Sequence, residues 1–124
     1  MSIKNRFGGW SLVIGLLSLL SCNMNEGKRT YQLTCGNCHM EGGQGLTRLI
    51  PAFKEATFKN DRHQMICKII HGVNDSITGD FMPPYGFMDD AQISNILNYI
   101  TRLKDYDVQP FTDREVVEAR ESCK

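Results

Sequence analysis

The most regular apolar pattern in the chain lies between Asp89 and Asp105, where Ile93, Ile96, Leu97, Ile100 and Leu103 recur at three- and four-residue steps. That spacing gathers them on one stripe of a helix, and Asp89-Asp90 supplies acids for its first turn. A second helix is expected over Asp61–His71, opened by Asp61 and stopped before Gly72, a residue suited to the position just past a helix end. Asn25–Cys38 starts at a candidate Asn cap, and Thr47–Ala56 is a short segment broken by Pro51. Pro110 ends any continuation beyond Asp105, after which Thr112 can cap Asp113–Glu121, whose strong apolar residues are Val116 and Val117. No alternating run is long enough for a strand, and no repeat or low-complexity tract is present. The pattern predicts a small all-α domain.

The amino terminus follows a different rule. Met1–Phe7 carries Lys4 and Arg6 and no acid, and Trp10–Leu20 is apolar apart from Ser11, Gly15 and Ser18. Eleven helical residues rise about 16 Å, roughly half the hydrocarbon thickness of a bilayer. The segment therefore fits an export signal and not a membrane anchor. Leu19-Leu20-Ser21-Cys22 resembles the lipobox of bacterial lipoproteins. That resemblance implies a signal peptide over residues 1–21, lipid on Cys22, a short tether over 22–25, and a mature protein on the periplasmic face of a membrane. The alternative is an ordinary signal cleaved nearby; under both readings the working protein lies outside the cytoplasm.

Charge and length then narrow the partners. The whole chain has 14 basic and 14 acidic residues; removing residues 1–21 takes away Lys4 and Arg6 and leaves 12 against 14. A near-neutral, slightly acidic balance argues against a dedicated nucleic-acid binder, which needs clustered phosphate-neutralising Lys and Arg. The length suits one domain, and so small a chain buries a modest share of its surface, so a covalent or cofactor staple is expected.

That staple is written in Cys35-Gly36-Asn37-Cys38-His39, a C-x-x-C-H run. On a helical turn, residues three apart face the same way, so two thiols can add to the vinyl groups on one edge of a haem. The adjoining His39 is then carried over the macrocycle to offer Nε2 to iron. A thioredoxin-type dithiol would want a βαβ context, and a zinc site needs four ligands that no second motif supplies. A Cys35–Cys38 disulfide would close a tight, strained ring. The haem-attachment reading covers all three residues.

A sixth iron ligand has six candidates: Met40, His63, Met65, His71, Met82 and Met88. Met40 adjoins His39 on the proximal side, and Met65 sits in an apolar helical run where core packing is the ordinary role. Met82 stands in Gly79-Asp80-Phe81-Met82-Pro83-Pro84-Tyr85-Gly86, where Pro83 and Pro84 forbid helix and stiffen the backbone. A stiff loop loses little entropy on presenting a thioether. Met82 leads, with His71 and Met88 in reserve.

C-x-x-C-H, then Met-Pro-Pro-Tyr some forty residues on, then an amphipathic helix, resembles a class I cytochrome c over about Glu26 to Lys104. The resemblance implies a helical domain over 26–105 wrapped around one haem c, held by Cys35 and Cys38, with iron between His39 and Met82. It further implies that Gly27 and Tyr31 on the first helix meet Ile96 and Tyr99 on the last. It also makes Pro51 the residue whose carbonyl accepts the His39 ring N–H. Gly42-Gly43-Gln44-Gly45 fits a close turn after the haem helix. Arg48 and Arg62 are candidate haem-propionate partners.

Residues 106–124 form an extension beyond that domain and end near Cys123. With Cys22 assigned to lipid, Cys67 and Cys123 are left over, and pairing is favoured in an oxidising compartment over a buried Cys67 with a free Cys123. The functional expectation is a lipid-anchored single-electron carrier, a monomer serving transient redox partners rather than an enzyme. The alternatives are a haem-bearing subunit of a dehydrogenase or oxidase complex, and a haem peroxidase or sensor, for which the sequence supplies no distal His and Arg pair.

Overall fold

A computed structural model of the chain describes residues 25–123. In chain order these residues form α1 (25–34), α2 (Gly36–His39), α3 (Glu55–Asn60), α4 (Arg62–His71), β1 (Val73–Asn74), β2 (Phe81–Met82), α5 (Asp90–Leu103) and α6 (Asp113–Ser122). The architecture is all-α, as its patterning predicts. Signal peptide, Cys22 and most of the tether lie outside the described residues.

The apolar stripe on α5 forms the floor of the core: Ile93, Ile96, Leu97 and Ile100 are all buried there. Its start is fixed by a reciprocal cap, Asp89 accepting from the Gln92 backbone while the Gln92 side chain accepts from Asp89 N–H. α1 crosses this helix at Gly27, where a Cβ would run into the backbone carbonyl of Asn95 and the Cβ of Tyr99. Beside that crossing the Tyr31 and Tyr99 rings lie 5.3 Å apart.

Three segments differ from the sequence reading, each for a visible reason. Residues 47–54 are not helical; the short helix starts at Glu55 instead. Leu46 and Ile50 exchange backbone hydrogen bonds across a tight turn in which Arg48 is left-handed (φ 69°), and Pro51 follows at once. The first helix is interrupted at Cys35 before α2 resumes it. Finally, Val73 pairs with Met82 and Asn74 with Phe81 in an antiparallel ladder. Two residues per strand leave no alternation for a pattern search to detect.

The extension is fastened to the domain by packing, hydrogen bonds and a covalent bridge. α6 buries Val116 and Ala119, and a Thr112–Glu115 capping box fixes its start. The Asn98 side chain pairs with both backbone groups of Phe111, donating to its carbonyl (2.8 Å) and accepting from its N–H (2.7 Å). Arg62, a candidate propionate partner in the sequence, is spent elsewhere. It makes two bonds to the Glu115 carboxylate, donates to the Gln109 and Pro110 carbonyls, and lies 3.8 Å over the Phe111 ring. Cys67 on α4 and Cys123 just past α6 are joined, Sγ to Sγ, closing a separation of 56 residues. By loop-closure entropy such a bridge contributes about 4 kcal/mol.

Burial raises the proton affinity of Glu115, but the Thr112 N–H and the Arg62 guanidinium outweigh it and hold the carboxyl below its ordinary value of 4.5. A lowered folded-state value adds stability above pH 4.5 and loses it as pH falls through the folded value. Glu115→Gln should therefore cost about 1–2 kcal/mol at neutral pH and almost nothing in strong acid. Urea denaturation followed from pH 7 down into strong acid checks this; a penalty of equal size throughout would contradict it.

Candidate haem site

α1 delivers the C-x-x-C-H run to the edge of the core, because the crossing at Gly27 fixes where its far end points. The turn at Cys35 is closed by its carbonyl, which accepts from the N–H groups of Cys38 (3.2 Å) and His39 (2.8 Å). Both thiols are free; Cys35 is half-buried and Cys38 exposed. Burial pushes the Cys35 thiol up, more than the neighbouring Thr34 hydroxyl brings it down, and Cys38 adds to the rise.

Beyond His39 the chain reverses at Met40, a non-glycine residue at φ 67°. The buried Tyr31 hydroxyl holds that reversal by donating to the Met40 carbonyl at 2.7 Å. Burial, with smaller contributions from Cys35 and Tyr99, pushes this phenol up to about 12, so it remains a donor throughout the working range. The 43–53 loop then folds back, Phe53 N–H reaching the Gly43 carbonyl and Gly45 N–H the His39 carbonyl. This return brings the Pro51 carbonyl to 3.2 Å from His39 Nδ1. The N–H donates there, which leaves the Nε2 lone pair for another partner. Burial holds His39 below its ordinary value and the Pro51 bond opposes that only in part. The Phe53 ring stacks on the imidazole at 4.5 Å between centroids.

Cys35, Cys38, His39 and Met82 all line one cavity of about 420 Å³. Its floor is Ile96, Leu97 and Ile100 of α5, and one wall is Met65 and Ile69 of α4. Met82 enters on β2, and Pro83 and Tyr85 continue the lining past it. The backbone there is pressed against the end of α4. Gly72, at φ 73°, has no room for a Cβ beside the Met82 carbonyl and the Pro84 nitrogen. Tyr85 N–H donates to the Ile69 carbonyl at 2.8 Å.

The other candidate ligands are sorted by position. Met88 is buried in the core and is not part of the cavity wall. His63 bonds to Ser122 beside the Cys67–Cys123 bridge, and His71 is exposed at the last turn of α4. Met65 does reach the cavity, as a wall residue. The sequence reading missed Phe53 and Phe58. They link the His39 ring to Tyr106 and Phe111 of the extension through edge and tilted contacts. Their spacing of five fits neither helix nor strand, so no periodic signal marks them.

The family model for cytochrome c oxidase, cbb3-type, subunit III matches residues 23–100, more than half of the chain. The chain belongs to this cytochrome family. No curated protein matches it. Members carry covalently bound haem c, and the cavity suits that group. Its walls are mostly apolar, with Lys54, Lys68 and Asp80 among the lining residues, and the soft and imidazole donors on it are two free thiols, an imidazole oriented through its other nitrogen, and a thioether. Among the described residues no helix is long and apolar enough to cross a membrane.

Removing the hydroxyl that holds the Met40 turn tests how the motif is fixed. Tyr31→Phe should cost about 1 kcal/mol, because the Met40 carbonyl loses one of two donors and keeps the Gly43 N–H. The visible spectrum of the haem-loaded protein should be unchanged. Guanidinium denaturation followed by tyrosine and haem signals measures both.

Proposed function

We propose that the protein is a lipid-anchored monohaem electron carrier on the periplasmic face of a membrane. Cys35 and Cys38 would hold the haem as thioethers, His39 Nε2 and Met82 Sδ would hold its iron, and Pro51 would fix the His39 ring. The observation that supports this best is the convergence of four donors of the right kinds on one apolar cavity. When bound, haem c supplies a one-electron ferric–ferrous couple. The chain's own part is to exclude water with Ile69, Ile96, Leu97 and Ile100, to hold His39 neutral and oriented, and to present a soft thioether. A thioether ligand and a dry cavity both favour the reduced, less charged state and so raise the potential.

The rim of the cavity fits the same reading. Leu49 and Phe81 line the cavity yet are 75% and 72% exposed, close to the exposed Cys38. These apolar rim residues, beside the exposed Lys54, Lys68 and Asp80 that also line the cavity, suit small, transient redox contacts near the cofactor edge. Anchoring is assigned to Cys22, on the sequence alone.

The family match favours a second reading, a fixed subunit of an oxidase. Mild detergent extraction separates the two. A carrier emerges alone and exchanges electrons saturably with a soluble partner, whereas a subunit emerges in constant ratio with other haem-bearing chains.

Maturation in a competent host should give a coloured product whose mass includes one haem. Met82→Ala should lower the potential and abolish the near-infrared charge-transfer band of the ferric protein. An unchanged band and potential would remove Met82 from the iron. Independently, Cys22→Ser should end incorporation of labelled fatty acid and release the protein from membranes; continued labelling would refute the lipobox.

A further inference from the structure

Met82 is held by two sets of contacts that come from different parts of the chain. Around Met82 itself the β1 pairing, the packing of Gly72 against Met82–Pro84 and the Tyr85 N–H bond to the Ile69 carbonyl fix the backbone to the end of α4. On its far side Gly86, Phe87 and Met88 lead into α5, and these residues are gripped by one side chain from α6. Arg120 donates through Nη1 to the Gly86 carbonyl (2.9 Å) and through Nη2 to the Met88 carbonyl. Its Nε donates to Asp90 at 2.6 Å. Gly86 in turn packs against the Ile70 carbonyl, leaving little room for displacement.

Two carbonyls and a carboxylate around one guanidinium use the planar fork of Arg, which a single ammonium cannot reproduce. The helix that carries Arg120 is itself fastened to α4 by the Cys67–Cys123 bridge and the Arg62–Glu115 pair. The constraints therefore form a closed path: α4 to Met82, through the Pro-Pro-Tyr loop to Arg120, along α6, and back to α4.

We infer that Arg120 is a positioning residue for the Met82 thioether, and that the Cys67–Cys123 bridge acts on the same loop by fixing the helix that bears Arg120. This rests on the reading of Met82 as an axial ligand. With Gly86–Met88 released, Met82 is left to its contacts with the end of α4 alone, so a competing small ligand should displace the thioether more easily. The C-terminal extension then guards the coordination site while contributing no atom to it.

The test uses the haem-loaded, full-length ferric protein and imidazole as competing ligand. Arg120→Gln should bind imidazole about tenfold more tightly, the scale expected for losing hydrogen bonds from a charged donor, and weaken the near-infrared band. Arg120→Lys, which keeps the charge beside Asp90 without the fork, should fall between wild type and Gln. Arg114→Gln, on the same helix but exposed and paired only with Glu118, should match wild type. Should Arg120→Gln not accumulate, the Cys67→Ser/Cys123→Ser pair carries the same expectation. A lowered melting temperature with wild-type imidazole affinity, in a protein whose wild type has the band, overturns the brace and leaves Met82 ligation standing. A wild type without the band overturns both.

Discussion

The crossing of α1 over α5 decides where the chemistry can be. At Gly27 the two backbones touch with no side chain between them, and Tyr31 and Tyr99 fill the space on one side. Because α1 ends in the Cys35–His39 run, the direction fixed at Gly27 is the direction in which both thiols and the imidazole are delivered. α5 provides the other half of the constraint. The face that meets α1 runs on into Ile96, Leu97 and Ile100, which floor the cavity those donors line. One helix thus sets both the angle of approach and the surface approached.

Much of this was legible because it is local. The α5 stripe has a 3.6-residue period, Asp89 and Thr112 sit at their caps, and Gly72 stops α4 where a left-handed residue is needed. C-x-x-C-H compresses three donors into five residues, and Pro83-Pro84 marks Met82 by excluding helix. What escaped the sequence is what depends on distant partners. The Thr47–Ala56 composition looks helical, yet the segment must return Pro51 to His39, and that closure overrides propensity. Arg62 reads as a free cation until Glu115 and Phe111 arrive from fifty residues away. Arg120 is one of many charges on a short polar helix, and nothing in its neighbours names Gly86 or Met88.

Chain separation also divides the two sides of the cavity. The imidazole side is stitched by short links: His39 to Pro51, Gly45 to the His39 carbonyl, Tyr31 to the Met40 carbonyl. These close small loops, whose closure costs comparatively little chain entropy. The Met82 side has short links too, Val73 to Met82 and Tyr85 to the Ile69 carbonyl, but it adds a contact spanning 34 residues to Arg120 and, through α6, a bridge spanning 56. Contacts of that reach fail together when the extension detaches. A covalent bridge at the end of α6 is placed where it best resists that detachment, since it ties the free end of the last helix to α4. The extension thus adds a long-range hold at Gly86–Met88 to the local contacts that already tie Met82 to α4.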